Sequence, residues 1–211
     1  TLKLSVGMFA LAVFDTLKNS LTLVRDRVGE KPLYYGWQSD TFLFASELNA
    51  LRTHPMWEGE INKQSVASLL RYAYIPDPES IFCGINKLPS GCLIELSWRQ
   101  GRWVEGKIEK WWSQPNVSSN EYDETVIVDN LENLLTEVVV DQYAADVPVG
   151  TFMSGGIDST LITAILQRNA RQPIKSFTVG FKDKDYDESY SAARIAEHLG
   201  TSHEQIILTS E

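Results

Sequence analysis

Cysteine is nearly absent from these 211 residues: only Cys83 and Cys92 occur, and neither forms a CxxC pair or joins a histidine cluster. That excludes a disulfide-built scaffold and a thiolate metal centre, and both read as reduced structural thiols. Histidine is scarce too. His198 and His203 flank LGTS with no third ligand at metal spacing, so they read as surface or helix-end side chains. No apolar run is long enough to span a bilayer, and no basic stretch precedes the first apolar segment, so we expect a soluble, cytoplasmic protein with no membrane partner. Positive charge is in deficit. The net charge of −9, with no local basic patch, argues against nucleic acid as a partner. Hydrophobic residues make up 43% and charged residues 22%, which excludes disordered and fibrous classes. The tripeptide Asn116-Val117-Ser118 fits the glycosylation pattern but carries little weight in a chain read as not exported. The length allows one large domain or two small ones. A start at Thr1 without an initiator Met, and an end at Glu211 shortly after the apolar run IIL, lead us to expect an excerpt of a longer polypeptide.

What is present divides into two patterns. In the first, MFALAVFD and LTLVRDR are apolar-rich β segments around the turn-forming TLKNS, and PLYYGW, QSD and FLFASE repeat that design, which predicts an antiparallel meander. Asn62 is a capping residue ahead of KQSVASLLRYAY, a helix that the two prolines of IPDPES then break. CLIELSW, RQGR and WVEGKIEKWW make a further hairpin. This layer is expected to fill residues 1–113, and the polar stretch 114–120 reads as a linker. From 121 to 211 the period changes. Ile127, Leu131, Leu134, Leu135, Val138 and Val139 recur at helical spacing up to about Tyr143. VPVGTFM, IKSFTVGF and EQIIL then read as strands, with TLITAILQRN and SYSAARIAEHLG as the helices between them, the second closed by Gly200. Strands alternating with helices predict a parallel sheet with right-handed crossovers. The expected fold class is therefore mixed, α+β followed by α/β.

The chemistry is concentrated in FMSGGIDST, Phe152 to Thr160, at the junction of the first of these strands with its helix. Ligands of such sheets bind beyond the carboxyl ends of the strands, where main-chain N–H groups and the positive end of a helix dipole favour anions. Gly155 and Gly156 allow the backbone unusual dihedrals and a close approach to a phosphate, and Ser154 and Ser159 add hydroxyl donors. Asp158 would repel a phosphate directly, so it fits contact through a cation such as Mg²⁺. No Gly-Lys-Ser/Thr follows, so this is not a Walker loop. Taken alone, SGG reads rather as a tight strand-to-helix turn with Asp158 capping the helix.

The SGGxDS pattern resembles the pyrophosphate loop of ATP pyrophosphatases. Around it, DVPVGTFMSGGIDSTLI, IKSFTVGF and YDESYSAARIAEHLGTSHEQIIL resemble the synthetase domain of glutamine-hydrolysing asparagine synthetases. Upstream, GMFALAVFD, LVRDRVGEKPLYY, FASELNAL, YIPDPESIFCGINKLPSG and EKWWS resemble the later part of that family's N-terminal glutaminase domain. The likeness runs through nearly the whole chain in the family's order.

The resemblance implies an Ntn-hydrolase-type antiparallel β layer followed by the start of an ATP-pyrophosphatase domain. It implies ATP and Mg²⁺ as cofactors, and glutamine and aspartate, or another carboxylate, as substrates. Ser154, Gly155, Gly156, Asp158 and Ser159 would hold the pyrophosphate portion, with Asp158 the metal contact, and Met153 and Val179 would line the nucleotide pocket. On periodicity alone those last two are core residues. No residue of this chain is expected to be catalytic. The family's nucleophilic cysteine stands at the very start of the mature chain, where neither Cys83 nor Cys92 lies, and Thr1 reads as a cut end rather than a nucleophile. The family's later catalytic carboxylate and lysine are expected beyond Glu211, so the excerpt itself is expected to be inactive. The acidic run Asp183, Asp185, Asp187 and Glu188 reads as a solvated loop, although YDES resembles a family segment near the nucleotide. Arg25, Arg27, Glu30 and Lys31 read either as an ion-paired hairpin end or as donors to a domain interface. The acceptor stays open, including a sugar carboxylate or a β-lactam-forming carboxylate. So do a homodimer and a non-catalytic scaffold.

Overall fold

Apolar and β-branched runs become strands here, and their polar breaks become turns. The computed structural model describes residues 2–116, 123–183 and 187–209, and the chain divides into two units, 1–117 and 118–211. The stretch 114–120 lies partly outside the described residues, as do Val117 and Ser118 of the glycosylation-type tripeptide and Asp185 of the acidic run.

In the first unit, β1 (Ala10–Asp15) and β2 (Ser20–Arg25) pair antiparallel from Ala10 opposite Arg25 to Asp15 opposite Ser20. Their turn is TLKNS as expected. Asp15 Oδ1 accepts from Leu17 N at 2.9 Å and Lys18 N at 3.0 Å, and Asn19 takes a left-handed φ of 49° that asparagine tolerates. β3 (Tyr34–Gln38) and β4 (Thr41–Ala45) form a second hairpin. A short helix, α1 (Leu48–Arg52), follows and was not foreseen. In α2 (Lys63–Tyr72) the Asn62 side chain accepts from Gln64 N and Ser65 N, and the helix ends on Ala73 at φ 62°, ahead of Pro76. β5 (Ile85–Lys87) is a short strand, and β6 (Cys92–Arg99) with β7 (Arg102–Lys110) makes the third hairpin.

The hairpins do not form one meander. β6 pairs with β2, giving a sheet of order β1-β2-β6-β7, while β3 lies between β4 and β5 in a separate sheet. The physical reason is the core. Leu23 and Ile94 of the first sheet and Tyr35 of the second join Leu33, Leu88 and Cys92 in one buried cluster, so two sheets share an interior that a single layer could not enclose. Leu43 and Ile85 on the second sheet are covered by Leu51 of α1. Cys83 and Cys92 are free thiols, and burial raises the pKa of Cys92.

The polar cluster after β2 is held chiefly by bonds from side chains to the main chain. Arg25, buried, spends its guanidinium on main-chain carbonyls: Nε donates to Lys31 O at 3.0 Å, Nη2 to Gly29 O at 2.7 Å and Nη1 to Leu88 O at 2.7 Å. Its ionic partner is the distant Asp77, at 3.3 Å. Asp26, only 1% exposed, collects the loop's amides instead: Gly29 N at 2.7 Å, Lys31 N at 2.9 Å, Glu30 N at 3.0 Å and Phe9 N at 3.3 Å. Arg27 donates to Lys3 O at 3.0 Å and to Ser5 O, and lies over the Trp111 ring.

The second unit opens with α3 (Glu124–Tyr143), capped by Asp123, whose side chain accepts from Thr125 N at 2.8 Å. β8 (Gly150–Phe152), α4 (Ile157–Asn169), β9 (Lys175–Phe181), α5 (Ser189–Leu199) and β10 (Ser202–Leu208) then alternate as expected. The three strands form a parallel sheet of order β10-β9-β8. Both crossover helices cover one face. Thr163 of α4 bonds Thr151, which pairs with Ser176, and two residues beyond Thr178 on that same face Gly180 meets Ser189 of α5. α3 sets Val128, Leu131 and Leu135 beside Leu161 and Ile165 of α4. Of the rest of its expected apolar row, Ile127, Leu134 and Val138 stay exposed and Val139 is half-buried. Gly200, at φ 73°, closes α5. Among the described residues no helix is long and apolar enough to cross a membrane.

The Asp26 bonds define a test. Burial alone would raise its pKa, but the four amides outweigh this and hold the carboxyl below its ordinary 3.8. A depressed folded pKa means that this contribution is complete above pH 3.8 and is lost as the pH falls through the lower folded value. Asp26→Ala leaves those amides buried and unpaired, and should cost about 3 kcal/mol of unfolding free energy in denaturant titrations at pH 7. The difference from the parent protein should shrink on acidification below pH 3.8.

Candidate functional site

The turn that leads from β8 into α4 stands at the carboxyl end of the parallel sheet. Met153 leaves β8 with both main-chain polar atoms occupied: its N–H donates to Phe177 O at 2.8 Å, and its carbonyl accepts from Thr178 Oγ1 at 2.6 Å. Its side chain is 2% exposed and packs with Ala192 and Ala196 of α5, so it lies beneath the turn rather than in an open crevice. Beyond it the chain reverses through Gly155 at φ +80°. A Cβ on Gly155 would lie 3.1 Å from Ser191 Cβ and Oγ and 3.3 Å from Ala192 N. Only glycine combines that dihedral with that approach.

The two serines fasten the turn. Ser154 and Ser159 place their hydroxyl oxygens 3.1 Å apart. Ser159 Oγ accepts from Ser154 N at 3.3 Å and donates to Gly156 O at 3.2 Å, while Ser154 Oγ accepts from Gly156 N at 3.3 Å. Helix α4 starts on Gly156, which has no side chain to cap it. The Ile157, Asp158 and Ser159 amides therefore have no intrahelical acceptor, and they remain as donors beside the positive end of the helix dipole. Asp158 is exposed in that first turn. Such a cradle accepts an anion by its main chain and offers one carboxylate, a donor set that suits Mg²⁺ already carried by phosphate oxygens. Among the described residues no three His, Cys, Asp or Glu side chains come together to hold a metal ion.

The other residues singled out in the sequence are distributed differently. Val179, 44% exposed, lies on the face of β9 opposite to α4 and α5, next to Ile206 of β10. His198 is exposed in the last turn of α5, whereas His203 is partly buried with Nδ1 2.9 Å from Ser176 Oγ. Asp187 was missed as an individual. Its Oδ1 accepts from Ser189 N at 3.1 Å and Phe181 N at 3.3 Å, and bonds from the Ser189 hydroxyl and these amides keep its pKa below the ordinary value. Two signals could have found it: the Asp-x-Ser spacing at a helix start, and a glycine, Gly180, inside a strand, which marks a close approach.

The chain thus joins a two-sheet antiparallel unit to a parallel α/β unit whose first strand-to-helix turn leads into an uncapped helix. Comparison with known proteins gives each part a family. Residues 1–112 match the family described as glutamine amidotransferase domain, and residues 130–211 match the family described as asparagine synthase. The chain belongs to the glutamine-hydrolysing asparagine synthetase family. It is 28% identical over 97% of its length to the glutamine-hydrolysing asparagine synthetase 3 of Bacillus subtilis. It is 31% identical over 93% to a putative asparagine synthetase of Methanocaldococcus jannaschii, and 33% identical over 93% to one of Mycobacterium tuberculosis. The chain covers 35%, 38% and 30% of those three relatives, about a third of their length.

The turn's geometry predicts an asymmetry between its glycines. Gly155→Ala forces a left-handed alanine against α5 and should cost about 1–2 kcal/mol in thermal or denaturant unfolding. Gly156→Ala, at φ −76° with only Ser154 Oγ within 3.3 Å, should cost less. The reverse order would contradict the geometry described for residue 155.

Proposed function

We propose that the turn at residues 153–159 binds the polyphosphate of ATP in a glutamine-dependent amidotransferase of the asparagine synthetase type. The observation that carries this reading is SGGIDS, folded as an uncapped strand-to-helix anion turn in a chain of that family. Residues 1–113 are read as the later part of an Ntn-hydrolase-type glutaminase layer, and 121–211 as the start of an ATP-pyrophosphatase domain, with 114–120 joining them. The substrates are then glutamine, ATP and a carboxylate acceptor, aspartate by family, and the setting is cytoplasmic because the reaction consumes ATP.

In this reaction a carboxylate oxygen of the acceptor attacks the α-phosphorus, the α–β phosphoanhydride bond breaks and pyrophosphate leaves. Ammonia released from glutamine then adds to the activated carboxyl carbon, loses a proton and displaces AMP to give the amide. Negative charge grows on the leaving pyrophosphate, which is where fixed donors are most effective. The Ile157, Asp158 and Ser159 amides supply those donors, and the Ser154 and Ser159 hydroxyls join them by exchanging their present acceptors, Ser159 Oγ and Gly156 O, for phosphate oxygens. Asp158 would hold Mg²⁺, which supplies charge neutralisation on the phosphates. Met153 supports the turn from beneath, and Val179, two residues before the end of β9 on the face away from α4 and α5, would line the nucleotide pocket from that side.

The test is ATP–pyrophosphate exchange by the intact protein with Mg²⁺, with and without aspartate. Aspartate-dependent exchange is expected, and Asp158→Ala should lower it about a hundredfold. Exchange that needs a different carboxylate would move the acceptor assignment. An unchanged rate in Asp158→Ala would falsify the role given to that residue.

A further inference from the structure

Three observations meet at the start of α5, outside the turn itself. First, one carboxylate oxygen ties strand to helix: Asp187 Oδ1 accepts from Phe181 N, the last residue of β9, and from Ser189 N, the first residue of α5. Second, the approach exists because residue 180 is glycine, since a Cβ there would lie 2.8 Å from that same oxygen and 2.8 Å from Ser189 Cβ. Third, the next residues of α5 form the wall of the turn. Ser191 and Ala192 abut Gly155, and Ala192 with Ala196 covers Met153. A displacement of α5 along β9 would therefore be felt at once on both sides of Ser154.

We infer that Asp187 is a positioning residue for the anion turn: by fixing the start of α5 to the end of β9, it sets the wall that holds Gly155 at φ +80° and keeps the 154–159 donors convergent. This rests on the ATP reading given above for the identity of the anion, but not for the mechanical link. The bonded oxygen, Oδ1, is committed to protein amides, and through it Asp187 acts on the position of α5. Sites of this kind tolerate little displacement, because donors off by an ångström lose most of their differential binding.

Asp187→Asn keeps the acceptor and removes the charge, whereas Asp187→Ala removes both. In the intact protein, deuterium uptake is followed across residues 153–160, where the Met153, Ser154, Gly156 and Thr160 amides are hydrogen bonded, and across α3 as a reference. ATP–pyrophosphate exchange is measured in parallel. Asp187→Ala should speed uptake across 153–160 with α3 unchanged, and raise KM for MgATP about tenfold while KM for the acceptor stays within about twofold. Asp187→Asn should restore both. Unchanged uptake at 153–160, an equal rise across α3, or failure of the asparagine to rescue would each overturn the inference. If the unsubstituted protein shows no carboxylate-dependent exchange, the ATP reading falls instead, and deuterium uptake still decides the role of Asp187.

Discussion

The carboxyl end of the parallel sheet depends on how closely Gly155 can approach α5. At φ +80° the chain turns back over Met153, and the absence of a Cβ lets it settle against Ser191 and Ala192. From that contact the remainder follows. The turn is short enough for Ser154 and Ser159 to reach each other, the helix starts on a residue that cannot cap it, and the first-turn amides are left for an outside acceptor. The same close fit recurs on the neighbouring strand, where Gly180 admits Asp187. Two glycines, Gly155 in the turn after β8 and Gly180 within β9, thus govern the distances among β8, β9 and α5.

The first unit uses charge for an equivalent purpose. Arg25 and Asp26 are adjacent in sequence, yet they serve opposite halves of the main chain: the guanidinium takes carbonyls at residues 29, 31 and 88, and the carboxylate takes amides at residues 9, 29, 30 and 31. Their own main-chain atoms continue the pattern, with Arg25 O accepting from Trp111 and Asp26 O from Gly91. A loop of irregular backbone can be partly buried only if its polar groups are paired, and these two residues do most of that pairing.

Local structure was legible in the sequence, while long-range pairing was not. The hairpin turns, the Asn62 cap, the Gly200 closure and the alternating strands and helices of the second unit follow from turn chemistry and periodicity, which are local causes. The partner of β6 could not be read the same way, because Leu23, Tyr35 and Ile94 are equally apolar in a meander and in two facing sheets. At the turn, the glycines and serines marked a tight strand-to-helix junction, and only the resemblance of the whole SGGxDS pattern favoured an anion site over a plain turn. Met153 and Val179 have similar sequence signals but opposite placements, one buried under α5 and one on the far face of β9. Asp187 was hidden by its acidic neighbours. Its role depends on where β9 ends, and a charge run carries no information about that.

The inner face of the parallel sheet is lined largely by hydroxyls: Thr151, Ser176 and Thr178 on the strands, facing Thr163 on α4. Two of these reach main-chain carbonyls at the turn, Thr178 to Met153 O and Thr163 to Ser159 O. A layer fastened in this way is less forgiving than an oily one. Aliphatic side chains can trade volume with their neighbours and still fill space, but a hydroxyl bonded to a carbonyl has one productive position. Tolerance of substitution in α4 is therefore lopsided: its exposed side answers only to solvent, while Thr163 is bound to the geometry of the turn it fastens.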